Sequence, residues 1–194
     1  MSTHPTSAVK LHRVELVALT GFMGSGKSSV GKALASLLGW KFIDLDNLIE
    51  SRQKRKIHEL FSAHGEEGFR LLETEALRIL LCEAERPLVL ATGGGTFVRV
   101  ENAALLRTHS ALIVFLEASA ETLMKRCCIA TAGTEQGVRP LARDRDSFLR
   151  LYEQRLPFYR GAELTFDSDN RTPEEVACEI EGALRARSQM RITL

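Results

Sequence analysis

The chain has 194 residues, 44% hydrophobic and 26% charged, with 14 Gly, 5 Pro and 4 Cys. That excludes a collagen, a coiled-coil rod, a disulfide scaffold and a mostly disordered protein, and the length suits one domain able to bury roughly 70% of its unfolded surface. Lys and Arg total 26 against 25 Asp and Glu, and a net charge of +1 gives no general attraction to nucleic acid or an anionic membrane.

Residues 1 to 12 read as a disordered tail with no signal-peptide core, and no apolar run is long enough for a membrane helix. Val14 to Thr20 is apolar and partly β-branched, a short buried strand that stops at Gly21. After a glycine-punctuated turn, Ser28 to Leu38 repeats apolar residues at helical spacing, with Gly39 at the expected C-terminal cap. Phe42 to Asp44 is a second strand. Residues 46 to 64 and 66 to 84 carry helical patterns separated by Gly65, and Pro87 ends the block.

Leu88 to Ala91 is a buried strand running into Gly93-Gly94-Gly95. A helix near 100 to 107 leads to the strand Ala111 to Leu116. Residues 119 to 128 read as helix, 129 to 138 as a mobile loop, and Asp144 to Tyr159 as helix. Leu164 to Phe166 is a last strand, and Thr172-Pro173-Glu174-Glu175 opens the final helix. Strands alternate with helices throughout, which predicts an α/β fold with a parallel sheet covered on both faces. The four cysteines lack metal-ligand spacing and read as reduced thiols of a cytoplasmic protein.

Gly21-Phe22-Met23-Gly24-Ser25-Gly26-Lys27-Ser28 matches G-x-x-x-x-G-K-[ST] between a predicted strand and a predicted helix. Glycines let successive N–H groups turn inward around a phosphate, and the following helix points its positive end at the same anion. Lys27 can reach the β- and γ-phosphates, and the Ser28 hydroxyl can ligate Mg²⁺. This implies a nucleoside triphosphate, without fixing the reaction.

Asp44 and Asp46 follow the second strand, where ligands collect in open α/β sheets. One carboxylate can hold a hydrated Mg²⁺ and the other can accept the proton of an acceptor hydroxyl; a helix cap with a first-turn acid is the alternative. The glycine triplet admits close backbone approach to a ligand. Arg70 and Arg155 are suited to grip a carboxylate bidentately, and Arg139 can close over phosphates; each also reads as a solvated arginine.

Taken in order, G-F-M-G-S-G-K-S-S, F-I-D-L-D, G-E-E-G-F-R, G-G-G, R-P-L, R-L-P-F-Y and N-R-T-P resemble shikimate kinase over roughly residues 14 to 185. The resemblance implies ATP-dependent phosphorylation of the 3-hydroxyl of shikimate, a step towards chorismate and the aromatic amino acids. It implies a P-loop NTPase three-layer fold like nucleoside monophosphate kinases, with a five-stranded parallel sheet in order 2-3-1-4-5. A single kinase domain over 13 to 188 would carry a mobile lid at about 127 to 142 and a substrate-binding region at about 46 to 75, with a tail over 189 to 194.

By the same resemblance, Gly24, Ser25, Gly26, Lys27, Ser28 and Ser29 hold the phosphates, and Lys27, Asp46 and Arg139 are catalytic. Ser28 ligates Mg²⁺ directly and Asp44 through water. Asp46 binds ring hydroxyls and serves as base, Arg70 and Arg155 grip the shikimate carboxylate, and Gly93, Gly94 and Gly95 contact a hydroxyl. Arg126, Arg139, Arg171 and Pro173 belong to the ATP side, and Glu73 orients Arg70. The resemblance implies shikimate and ATP as partners and a monomer, without nucleic acid or membrane.

Two stretches depart from the family pattern. The segment from Arg126 to Arg139, with Cys127-Cys128 and Gly133, is longer, and Thr96-Phe97 follow the triplet where smaller residues are expected. The rival readings are a kinase for gluconate or another hydroxy acid, and a ligand-sensing module without turnover.

Overall fold

The computed structural model describes residues 14–131 and 144–190. In chain order the elements are β1 (Leu16–Thr20), α1 (Lys27–Leu38), β2 (Lys41–Asp44), α2 (Leu45–Gln53), α3 (Ile57–Glu83), β3 (Leu88–Ala91), α4 (Val100–Thr108), β4 (Leu112–Glu117), α5 (Ala120–Thr131), α6 (Arg145–Tyr159), β5 (Leu164–Asp167) and α7 (Pro173–Met190). All strand pairs are parallel, in the order β2-β3-β1-β4-β5. This is the expected order.

Strand alternation divides the core into two layers. Leu16, Ala18, Leu88, Leu90, Ile113 and Phe115 face a cluster built from α2, α3, α4, α5 and α6. Val17, Leu19, Val89, Val114 and Leu116 face the other side, against Val30 and Leu34 of α1 and Val176 and Ile180 of α7. β1 is buried along its whole length because it lies between β3 and β4 and beneath both helical layers.

The helical block between β2 and β3 differs from expectation at one place. Gly65 does interrupt α3, with φ 67° and ψ −177°. The chain also breaks earlier, at Lys54, whose φ is 55°. The Glu50 carboxylate explains that break: it accepts the Ile57 N–H at 2.9 Å and pairs with Lys56 at 3.0 Å. An acid from α2 thus caps α3, as a free helix N-terminus requires. Across the Gly65 break, Phe61 and Phe69 stack with ring centroids 4.3 Å apart.

One further boundary moves. Residues 129 to 131, expected in a loop, form the end of α5, since no glycine or proline lies between Ala120 and Ala132. α7 runs to Met190, as nothing in Ala186 to Met190 breaks a helix. The tail 1–12 and most of the lid, Arg139 included, lie outside the described residues. No described helix is long and apolar enough to cross a membrane.

Candidate active site

The carboxyl ends of the strands converge on one cleft of about 440 Å³. Its walls include the 24–29 loop, Asp44 and Asp46 after β2, Thr92 and Gly94 after β3, Ser168 after β5, and Arg171 and Pro173 at the start of α7. Such a crevice is where open α/β sheets bind ligands.

The phosphate loop joins β1 to α1. Gly24 and Gly26 have φ of 82° and 91°, a backbone that L side chains rarely adopt. A Cβ on Gly24 would also lie 2.9 Å from the Leu123 carbonyl oxygen and 3.0 Å from Cys127 Sγ, so the loop is packed directly on α5. Lys27 Nζ donates to the Gly21 and Phe22 carbonyls, each at 2.9 Å, and so lies folded over the loop. Ser28 Oγ donates to Asp44 Oδ2 at 2.5 Å, and Asp44 Oδ1 accepts the Asn47 N–H, capping α2. The capping reading of Asp44 is met, and the same carboxylate stands against the Ser28 hydroxyl. A hydroxyl and a carboxylate side by side at the head of α1 are hard oxygen donors, the set that suits Mg²⁺.

Arg126 and Arg171 are struts as well as lining. Arg126 donates to the Gly24 carbonyl at 3.4 Å, to Ser168 Oγ at 3.4 Å and to the Ser168 carbonyl at 2.6 Å. Ser168 in turn donates to the Ser25 carbonyl, which ties the end of β5 to the loop. The neighbouring Asp169 carboxyl is held below its ordinary range. Burial pushes it upward, but the Ser119 N–H and hydroxyl, Thr122 and the Arg126 charge outweigh that. Arg171 donates to the Asp167 carbonyl at 3.2 Å and pairs with Glu179. Thr172 and Glu175 bond reciprocally through side chain and backbone, a capping box that sets Pro173 at the first turn.

The other end of the site is built around the glycine triplet. A Cβ on Gly93 would lie 2.8 Å from both Asp46 Oδ1 and Glu73 Oε1, and 2.9 Å from Thr96 Oγ1. A Cβ on Gly95 would lie 2.5 Å from the Arg70 Cζ. Only glycine admits these side chains at such range. Arg70 is 12% exposed and bonds Glu73, itself 1% exposed, at 2.8 Å. The rings of Phe61 and Phe69 lie 5.8 Å and 5.4 Å from its guanidinium. Arg155 reaches the Gly94 carbonyl from α6 at 3.4 Å. Asp46, Arg70 and Arg155 come from three different helices, α2, α3 and α6, and meet at one short backbone segment.

Three residues outside the expected set belong to this end. Tyr159 is fully buried and donates its hydroxyl to the Gly94 carbonyl. Burial pushes its phenol up to about 12, against the opposing pull of the nearby Arg155 and Arg70 charges. It is the last residue of R-L-P-F-Y, so the sequence carried a signal for it. Thr96 Oγ1 donates to Glu73 at 2.6 Å. Thr92 Oγ1 donates to the Leu19 carbonyl at 2.9 Å, tying β3 to the strand that feeds the loop. Among the described residues, no group of three His, Cys, Asp or Glu is placed to hold a metal.

A family model described as shikimate kinase matches residues 23–185. The shikimate kinase of Geobacter metallireducens is 42% identical over 177 residues, covering 90% of this chain and 94% of that protein. That of Moorella thermoacetica is 39% identical over 172 residues, covering 88% and 94%. Among solved structures, the shikimate kinase from Acinetobacter baumannii in complex with shikimate superposes with a TM-score of 0.80 at 31% identity, covering 90% of this chain and 94% of that one.

Proposed function

Since the chain belongs to the shikimate kinase family, we propose how its residues divide the work of that reaction. The enzyme transfers the γ-phosphoryl group of ATP to the 3-hydroxyl of shikimate, giving shikimate 3-phosphate and ADP. One observation carries the assignment of roles: Asp46, Arg70 and Arg155 converge on the glycine triplet beside the phosphate loop.

Shikimate is a small polyhydroxylated anion. Arg70 and Arg155 grip its carboxylate, since planar guanidinium groups match a carboxylate bidentately. Gly93, Gly94 and Gly95 bring backbone groups to its hydroxyls. Asp46 Oδ1 accepts the proton of the 3-hydroxyl as that oxygen bonds to the γ-phosphorus. The bond from the γ-phosphorus to the bridging oxygen breaks, and ADP leaves with that electron pair. Gly24 to Ser29 cradle the phosphates, Lys27 and Arg139 oppose the charge on the transferring group, and Arg126, Arg171 and Pro173 wall the nucleotide. Mg²⁺ would be held by Ser28 and Asp44, and when bound it neutralises phosphate charge. Positioning supplies most of the rate, as phosphoryl transfer asks little covalent chemistry of the protein.

The region 46–75 would close on the acceptor and the lid 127–142 on the nucleotide, keeping water from the phosphoryl group. Family membership supports a monomer, and the free cysteines support a reducing compartment such as the cytoplasm. The test is ADP release from ATP and Mg²⁺ with shikimate, gluconate or quinate. Turnover confined to shikimate is expected. Loss of nucleotide affinity, rather than of shikimate affinity, in Arg70→Ala or Arg155→Ala would remove these arginines from the acceptor clamp.

A further inference from the structure

Glu73 is a buried carboxylate whose two oxygens are held by different partners. Oε2 accepts from Arg70 Nη1 at 2.8 Å, and Oε1 accepts from Thr96 Oγ1 at 2.6 Å. Thr96 itself is fully buried, and its N–H closes a turn onto the Gly93 carbonyl at 3.2 Å. A threonine hydroxyl has one proton to give, and here it goes to Glu73. Thr96 therefore offers no donor to a bound substrate and acts through its neighbours.

We propose that Thr96 is a positioning residue for the acceptor carboxylate: through Glu73 it fixes the orientation of the Arg70 guanidinium against Gly95. The inference rests on the reading of Arg70 as part of the carboxylate clamp. A carboxylate at 1% exposure that loses one of its two hydrogen-bonding partners must turn to find another. Turning Glu73 moves Oε2, and with it the anchor of Arg70. Among the described residues, the other carboxylate paired with that arginine is Glu66, at 3.6 Å on the solvent side. The clamp would then sit off its productive geometry although no group that touches the acceptor had been altered. Asp46 Oδ1 lies at the same point in front of Gly93, so the acceptor's hydroxyl end and carboxylate end share this wall.

Thr96→Val keeps the shape and removes the donor, and Thr96→Ser keeps the donor and removes a methyl group. Steady-state kinetics should show Thr96→Val raising KM for shikimate by roughly tenfold, the effect of one hydrogen bond to a buried charge. KM for ATP should stay within about twofold, and Thr96→Ser should restore KM for shikimate to near the parent value. In an Arg70→Ala background, Thr96→Val should add little, since the two act in series. An unchanged KM for shikimate in Thr96→Val overturns the proposal, as does a parallel rise in KM for ATP. If Thr96→Val does not fold, a raised KM in Thr96→Ser overturns it alone. Arg70→Ala separates the levels: if that variant binds shikimate normally, the clamp itself is wrong, whereas a defect there with none in Thr96→Val refutes only the role of Thr96.

Discussion

Replacing Gly95 by alanine tests the acceptor end with one added carbon. Gly95 is not among the residues with positive φ, so alanine brings no backbone strain. The new Cβ would stand 2.5 Å from the Arg70 Cζ, far inside contact range. The guanidinium must therefore move, yet it is 12% exposed and bonded to Glu73 at 2.8 Å. Moving it breaks that bond or withdraws the group from the acceptor. Truncating one partner of a buried charge pair costs about 2–5 kcal/mol. Alanine displaces the arginine without deleting it, so the lower end applies, about 2 kcal/mol or roughly 30-fold in KM for shikimate. A coupled ADP-release assay at saturating ATP reads this directly. KM for ATP should stay within about twofold, because neither Gly95 nor Arg70 lines the cleft at the phosphate loop. An unchanged KM for shikimate, or an equal rise for both substrates, would refute the placement of Arg70.

Tyr159→Phe keeps the ring stacked on Phe115 but removes the hydroxyl that holds the Gly94 carbonyl. It should destabilise the fold by about 1 kcal/mol, roughly 2–4 °C in melting temperature; an unaltered melt would mean the bond contributes nothing. The two tyrosines can be titrated by phenolate absorbance, and burial raises both. At pH about 10, where the denatured chain is half ionised, the native protein should show much less phenolate. A phenol raised to about 12 in the fold contributes fully below its unfolded value of about 10, and that stability is lost as pH rises through the folded value. Gly182→Ala, with nothing within 4 Å of its Cβ in α7, should stabilise by up to about 1 kcal/mol in urea denaturation.

What the sequence made legible follows from how local each determinant is. The phosphate loop was readable because its glycines, lysine and serine act within eight residues and sit between a strand and a helix. The layer order followed from strand–helix alternation once the family resemblance supplied the strand sequence. Arg70 and Arg155 were ambiguous as isolated helical arginines, and only the ordered motifs raised them. Tyr159 and Thr96 went unassigned because their roles arise where α6 and α3 meet the triplet, across 65 and 23 residues. Ser168 carried no signal at all, being one serine in a polar turn until Arg126 and Ser25 close on it. The break at Lys54 was missed for the same reason, since its cause is a carboxylate on the preceding helix.

In an unbroken helix, Phe61 and Phe69 would stand about 12 Å apart along the axis, and their rings could not stack. They do stack, because Gly65 turns the chain between them. The short arm before Gly65 is thus laid back over the stem that follows, and it carries an aromatic roof onto Arg70. Gly65 works as the elbow of that arm. Inserting one residue there would alter the fold-back and swing Phe61 off the guanidinium, leaving the stem itself intact. One residue thus sets where the arm and its aromatic roof lie, while Arg70 and Glu73 stay on the frame of the stem.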